Sequence, residues 1–107
     1  MEIKNEKRFY GMLGFAMRAG KLTVGTELVC RALAKGTARL VIVSSYSSEA
    51  TRKKLLQKSE FYGISATEVD IDTERLGRIL GKSYAPAAVA VLDGAFAEEI
   101  KKAVVSE

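Results

Sequence analysis

The sequence predicts an α/β fold: a three-layer α-β-α sandwich with a central, mixed four-stranded sheet and helices on both faces. Three observations predict it. Helical and strand-type apolar patterns alternate along nearly the whole chain, which builds a sheet with helices on its faces. Two of the strand patterns, ARLVIVSS and AAVAVLD, are continuous apolar runs, the mark of strands covered on both sides. Glycines recur where the helical patterns stop, as left-handed caps would. With 107 residues, 48% of them apolar, the chain is expected to fold as one domain over residues 1–107, without linker, repeat or low-complexity stretch.

Each element follows from its residues. Residues 5–18 place Phe9, Met12, Leu13, Ala16 and Met17 on one helical stripe, and Gly20 ends that helix. Leu22-Thr23-Val24 is a short extended piece leading to Gly25. Thr26 is expected to cap a second helix that stops at Gly36, with Val29, Ala32 and Leu33 inward and Glu27, Arg31 and Lys35 outward. After the ARLVIVSS strand, Ser47 or Ser48 caps a third helix with Leu55 and Leu56 inward and Gly63 as its stop. ISATEV alternates as a strand. Asp72 or Thr73 then opens a short helix holding Leu76, Ile79 and Leu80, ended by Gly81. KSYAP leads into the AAVAVLD strand, and GAFAEEIKKAVV is the closing helix, residues 94–105.

Composition narrows the function. The chain has no histidine, which removes the commonest general base and metal ligand, and its one cysteine, Cys30, cannot close an internal disulfide. No zinc site of nitrogen and sulfur ligands can be assembled within one chain, so neither a metal nor a cofactor is expected. No apolar run approaches a membrane span and the N-terminus lacks the apolar centre of a secretory signal, so a cytoplasmic protein with no membrane partner is expected. Charge is uneven. Residues 1–54 hold eleven Lys and Arg against four Glu, a balance of +7, whereas the remainder balances at −3. A basic half beside an acidic one fits a side that faces a polyanion, although an ordinary solvated surface gives the same totals.

Two segments have the chemistry of a binding site. RAGKLTVG invites comparison with a phosphate loop, but Leu22 follows Gly20-Lys21 and Phe15 stands where the first glycine belongs. What remains is a helix start. The N–H groups of the first turn, at Gly25, Thr26, Glu27 and Leu28, lack helical partners and sit at the positive end of the dipole, where an anion is favoured. Arg31 presents a planar fork suited to a phosphate or a guanine edge, and a solvated Glu27–Arg31 pair is the simpler reading. The second segment is LGRILGKSYAPAAVAV. Its loop at Ala85, Pro86, Ala87 and Ala88 has almost no polar side chains and suits an extruded base, or is merely the tight approach to a buried strand.

Taken together, GTELVCRALAKGTARLVIVSS, FYGI and LGRILGKSYAPAAVAVL resemble the kink-turn RNA-binding ribosomal proteins of the L-seven-Ae and L-thirty-e type, along nearly the whole chain. AGKLTVG and SSEATRKK are most similar to the small bacterial YlxQ-type branch. The resemblance implies a non-catalytic RNA-binding protein. The first turn of the second helix would enter the widened groove of a kink-turn and meet its sheared G·A pairs, and the loop before the last strand would cover the flipped-out nucleotide. Carried over, Gly25 and Thr26 match the close-approach positions, Arg31 matches a lysine that meets phosphate or guanine, and Ala85, Pro86, Ala87 and Ala88 match the loop. Lys21 would lie beside this surface.

Two positions depart from the family pattern. Glu27 stands where Asn or Lys is usual, and Leu28 where Glu or Gln is usual. Leu28 cannot hydrogen-bond to a base edge, a loss of about 1–3 kcal/mol of discrimination if it faces RNA, unless it flanks the core beside Ala32. The expected partner is a structured RNA, a kink-turn and ribosomal RNA among the candidates, bound by a monomer; DNA is not expected. Two other readings are a protein-interaction module docking through residues 84–88 and an enzyme using Glu68, Asp70, Asp72 and Glu74. The last group reads more simply as a strand end and a helix start, where acids suit the dipole.

Overall fold

The nine alternating elements form in the predicted order in a computed structural model, which describes residues 1–104. They are α1 (Glu6–Arg18), β1 (Leu22–Val24), α2 (Thr26–Lys35), β2 (Leu40–Ser44), α3 (Glu49–Phe61), β3 (Ala66–Val69), α4 (Thr73–Ile79), β4 (Ala88–Val91) and α5 (Gly94–Lys102). The sheet runs β1-β4-β2-β3, with β4 antiparallel to both its neighbours and β2 parallel to β3. It is therefore mixed, as expected. The two continuous apolar runs are the two central strands, every residue of which is buried.

Alternation along each strand sorts the core into two layers. Leu22, Val24, Leu40, Ile42, Val89 and Val91 pack with Phe9, Leu13, Leu76 and Ile100, so α1, α4 and α5 cover one face. Val41, Val43, Ala88 and Ala90 pack with Val29, Leu33 and Leu55, so α2 and α3 cover the other. Phe9, Leu13 and Ala16 are buried, while Met12 and Met17 are half-buried at the margin of the stripe. Tyr10, outside the predicted stripe, is also buried. Its hydroxyl accepts the Asp72 N–H at 3.2 Å and its ring lies under the Arg75 guanidinium. Burial pushes its phenol above the usual tyrosine range, opposed by the bond to Asp72.

Three expectations change. Thr26 does not cap α2: it is the first helical residue, and Gly25 holds the cap position with φ 100° and no side-chain bond. The strand turns straight into the helix there, leaving no residue between Val24 and the first turn other than a glycine. Ile79 does not face the core but lies at the surface against Gly14 of α1. The closing helix ends at Lys102; Val104 instead bridges Ile3, and Val105 lies outside the described residues.

Candidate nucleic-acid interface

One end of the sheet gathers the segments that the sequence singles out. The Gly25 N–H donates to the Ala88 carbonyl at 2.9 Å, and the Ser44 N–H donates to the Ala87 carbonyl at 2.8 Å. Beside these, the Ser45 N–H donates to the Val69 carbonyl. The start of α2, the loop before β4 and the β2–α3 turn thus stand in a row at the carboxyl ends of β2 and β3, where ligands of open α/β sheets bind.

The α2 end differs chemically from its neighbours. Asn5, Ser48, Asp72 and Asp93 each accept a first-turn N–H with a side-chain oxygen at the starts of α1, α3, α4 and α5. Gly25 has no side chain to do so, and its carbonyl takes the Val29 N–H. The N–H groups of Thr26, Glu27 and Leu28 are left at the positive end of the helix dipole for a ligand. Glu27 and Arg31 are exposed and 3.6 Å apart, an i,i+4 pair worth about 0.3–0.5 kcal/mol that a phosphate can displace. Leu28 is 44% exposed, which rules out a place in the core beside Ala32.

The loop is held against this end by two glycines. A Cβ on Gly25 would sit 3.6 Å from the Tyr84 hydroxyl, so Tyr84 lies directly across from the helix start. A Cβ on Gly77 would overlap the Tyr84 carbonyl oxygen, so α4 touches the loop with backbone. Gly81, with φ 73°, reverses the chain after α4: its N–H donates to Arg78 and that of Lys82 donates to Gly77. Arg78, Lys82, Ser83, Tyr84, Ala85 and Glu74 line a shallow cleft beside the loop.

Several sequence-predicted residues take other places. Pro86 and Ala88 are buried, so their side chains are withdrawn from the surface; Ala88 contributes the carbonyl that fixes Gly25. The exposed part of the loop is Ser83, Tyr84 and Ala85, with Ala87 half-buried, a smaller apolar surface than residues 84–88 imply. Lys21 stands at the wrong end: its carbonyl pairs with Leu92, and Leu22 pairs with Val91, about 13 Å along β1 from Gly25. Arg78 and Lys82 stand outside the candidate residues of the sequence, and Tyr84 enters there only within the 84–88 docking segment. The available signals were an aromatic amid small loop residues and a glycine, Gly77, inside a helix, where it costs about 1 kcal/mol and demands a packing reason.

The acidic residues near β3 do separate jobs. Glu68 pairs with Arg52 at 3.6 Å, Asp70 accepts the Ser45 hydroxyl at 2.6 Å, and Asp72 caps α4. Among the described residues, no three His, Cys, Asp or Glu are grouped to hold a metal, and no helix is long and apolar enough to cross a membrane.

The three-layer α/β/α sandwich is a fold that known proteins share. A structure of a protein with unknown function from Bacillus halodurans C is 35% identical and superposes with a TM-score of 0.80, over 89% of this chain and 94% of that one. The family model described as "Ribosomal protein L7Ae/L30e/S12e/Gadd45 family" matches residues 7–101, and the chain belongs to that family. It is 33% identical over 101 residues to the RNA-binding protein YlxQ of Enterococcus faecium, covering 94% of each chain. To the RNA-binding protein YlxQ of Bacillus subtilis (strain 168) it is 34% identical over 92 residues, covering 86% of this chain and 90% of that one.

Proposed function

We propose that the chain is a non-catalytic, cytoplasmic RNA-binding protein, acting as one monomeric domain, that holds a kink-turn or similarly bulged RNA. The observation that carries this reading is the α2 end: alone among the five helix starts described, it has no side-chain cap, and it faces the Tyr84 loop across Gly25. Its free N–H groups take a phosphate or a base edge, while Arg78 and Lys82, which line the cleft beside the loop, and Arg31, which pairs with Glu27 of the first turn, supply positive charge for backbone phosphates. The exposed Tyr84 ring offers a flat face to an extruded base. Leu28, exposed and apolar, can pack on a sugar or base but reads no edge by hydrogen bonding. The names of the YlxQ relatives support RNA as the ligand class. Ribosomal RNA is one candidate source of such an element.

Affinity measured against salt tests this placement. Arg31→Ala is expected to reduce the slope of log K against log salt by about one unit, and to weaken binding by a similar factor whatever the base sequence. A slope equal to that of the parent chain would put Arg31 outside the interface.

A further inference from the structure

The outward side of α3 carries a second surface with ligand chemistry, at the opposite end of the sheet from Gly25. Lys54, Gln57, Lys58, Phe61 and Tyr62 follow one another at three- and four-residue spacing and line a single open groove. Leu55 and Ser59, on the other side of the helix, are fully buried. Phe61 is 80% exposed and meets the Tyr62 ring edge-on, with centroids 4.9 Å apart. No ion pair among the described residues involves Lys53, Lys54 or Lys58. The helix's acids, Glu49 and Glu60, lie about 120–140° round from Lys54 and leave the stripe positive. The core and the α2 end use none of these groove residues except through the helix that bears them.

We propose that this groove binds an unpaired RNA strand that flanks the folded element held at the α2 end. The proposal rests on the RNA-binding reading above. Bases stack on Phe61 and Tyr62, and the phosphates between them meet Lys54 and Lys58. Exposed rings beside unpaired lysines suit a single strand, because every base has a face to stack and every nucleotide carries a charge. Protein interfaces deplete lysine at their centres, which favours RNA over a protein partner here. From cap to cap α3 spans about 20 Å, so a strand leaving the α2 end needs several nucleotides to reach the groove.

The test uses the full chain and a kink-turn RNA with and without an unpaired tail of about ten uridines, within the usual site size of single-strand grooves. The parent is expected to bind the tailed RNA at least tenfold more tightly. Phe61→Ala with Tyr62→Ala is expected to remove that gain while binding the untailed RNA like the parent. Equal parental affinity for the two RNAs, or a gain that survives the double substitution, overturns the proposal and leaves the α2 site standing. Failure of the parent to bind either RNA overturns the RNA-binding reading, and this proposal with it. Nuclear magnetic resonance of the parent gives an independent reading: the Phe61 and Tyr62 ring protons are expected to move upfield when a uridine oligonucleotide is added. Rings that do not respond contradict stacking.

Discussion

Gly25→Ala is expected to lower both stability and RNA affinity, the former by about 1–3 kcal/mol and the latter by at least about tenfold. The backbone at Gly25 has φ 100° and ψ 152°, a region that is essentially closed to any residue with a Cβ. An alanine must either hold that strained geometry or rotate out of it. Rotation breaks the N–H bond to Ala88 and the carbonyl bond to Val29, which together aim the first turn of α2. If the geometry is held instead, the added methyl stands 3.6 Å from the Tyr84 hydroxyl, in the space between helix end and loop. Either outcome disturbs the proposed RNA surface. Gly36→Ala is the control: its φ of 76° also disfavours alanine, but it lies at the other end of α2 with open space around it. Urea unfolding should show a cost at both positions, and RNA titration a loss only at Gly25. Parental affinity in Gly25→Ala would contradict the site.

Gly77→Ala is expected to cost about 1–3 kcal/mol through overpacking and to weaken RNA binding in the same protein. Its methyl would overlap a backbone oxygen, that of Tyr84, which cannot swing aside as a side-chain tip can. The loop from Lys82 to Pro86 must move off α4, carrying Tyr84 away from Gly25. An alanine in a helix is otherwise more favourable than glycine by about 1 kcal/mol, so a rise in stability at this position would show that the loop does not rest on α4. Urea midpoints and affinities measured on the same preparation separate the two effects.

The layers of the fold were legible because they follow local rules. LVIV and AVAV are apolar at every position, and a strand of that kind has no face to give to water, so both had to be central. Gly20, Gly36, Gly63 and Gly81 all adopt φ between 71° and 76° at the ends of helices, as stop signals should. The site was legible in part. The proximity of the α2 start to the loop before β4 could be expected only through family resemblance, since nothing in the spacing of Gly25 and Pro86 reveals the Gly25–Ala88 bond.

What could not be read depends on tertiary placement. Lys21 is four residues from Gly25 in sequence, and only an extended β1 turns that into opposite ends of a sheet. Pro86 and Ala88 look like exposed small residues until the Ser44 N–H bonds to Ala87 between them and the Gly25 N–H to Ala88 itself, holding the segment inward. Thr26 has the right chemistry for a cap but the wrong register by one residue, because β1 pairs through Val24 and the turn is left to glycine alone. Tyr84 gains its role from Gly77, a residue in a different element, and a pattern within the loop cannot show that.

Binding that favours a kink must discriminate between shapes, because a ligand shifts a conformational equilibrium only by its differential affinity for the two states. The direct measurement is a titration of the chain against a kink-turn RNA and a straight duplex of equal length, at several salt concentrations. Recognition through the α2 end and the Tyr84 loop predicts tighter binding of the kink-turn RNA at every salt, with the ratio largely preserved as phosphate contacts weaken for both. Equal affinity for the two RNAs would contradict it.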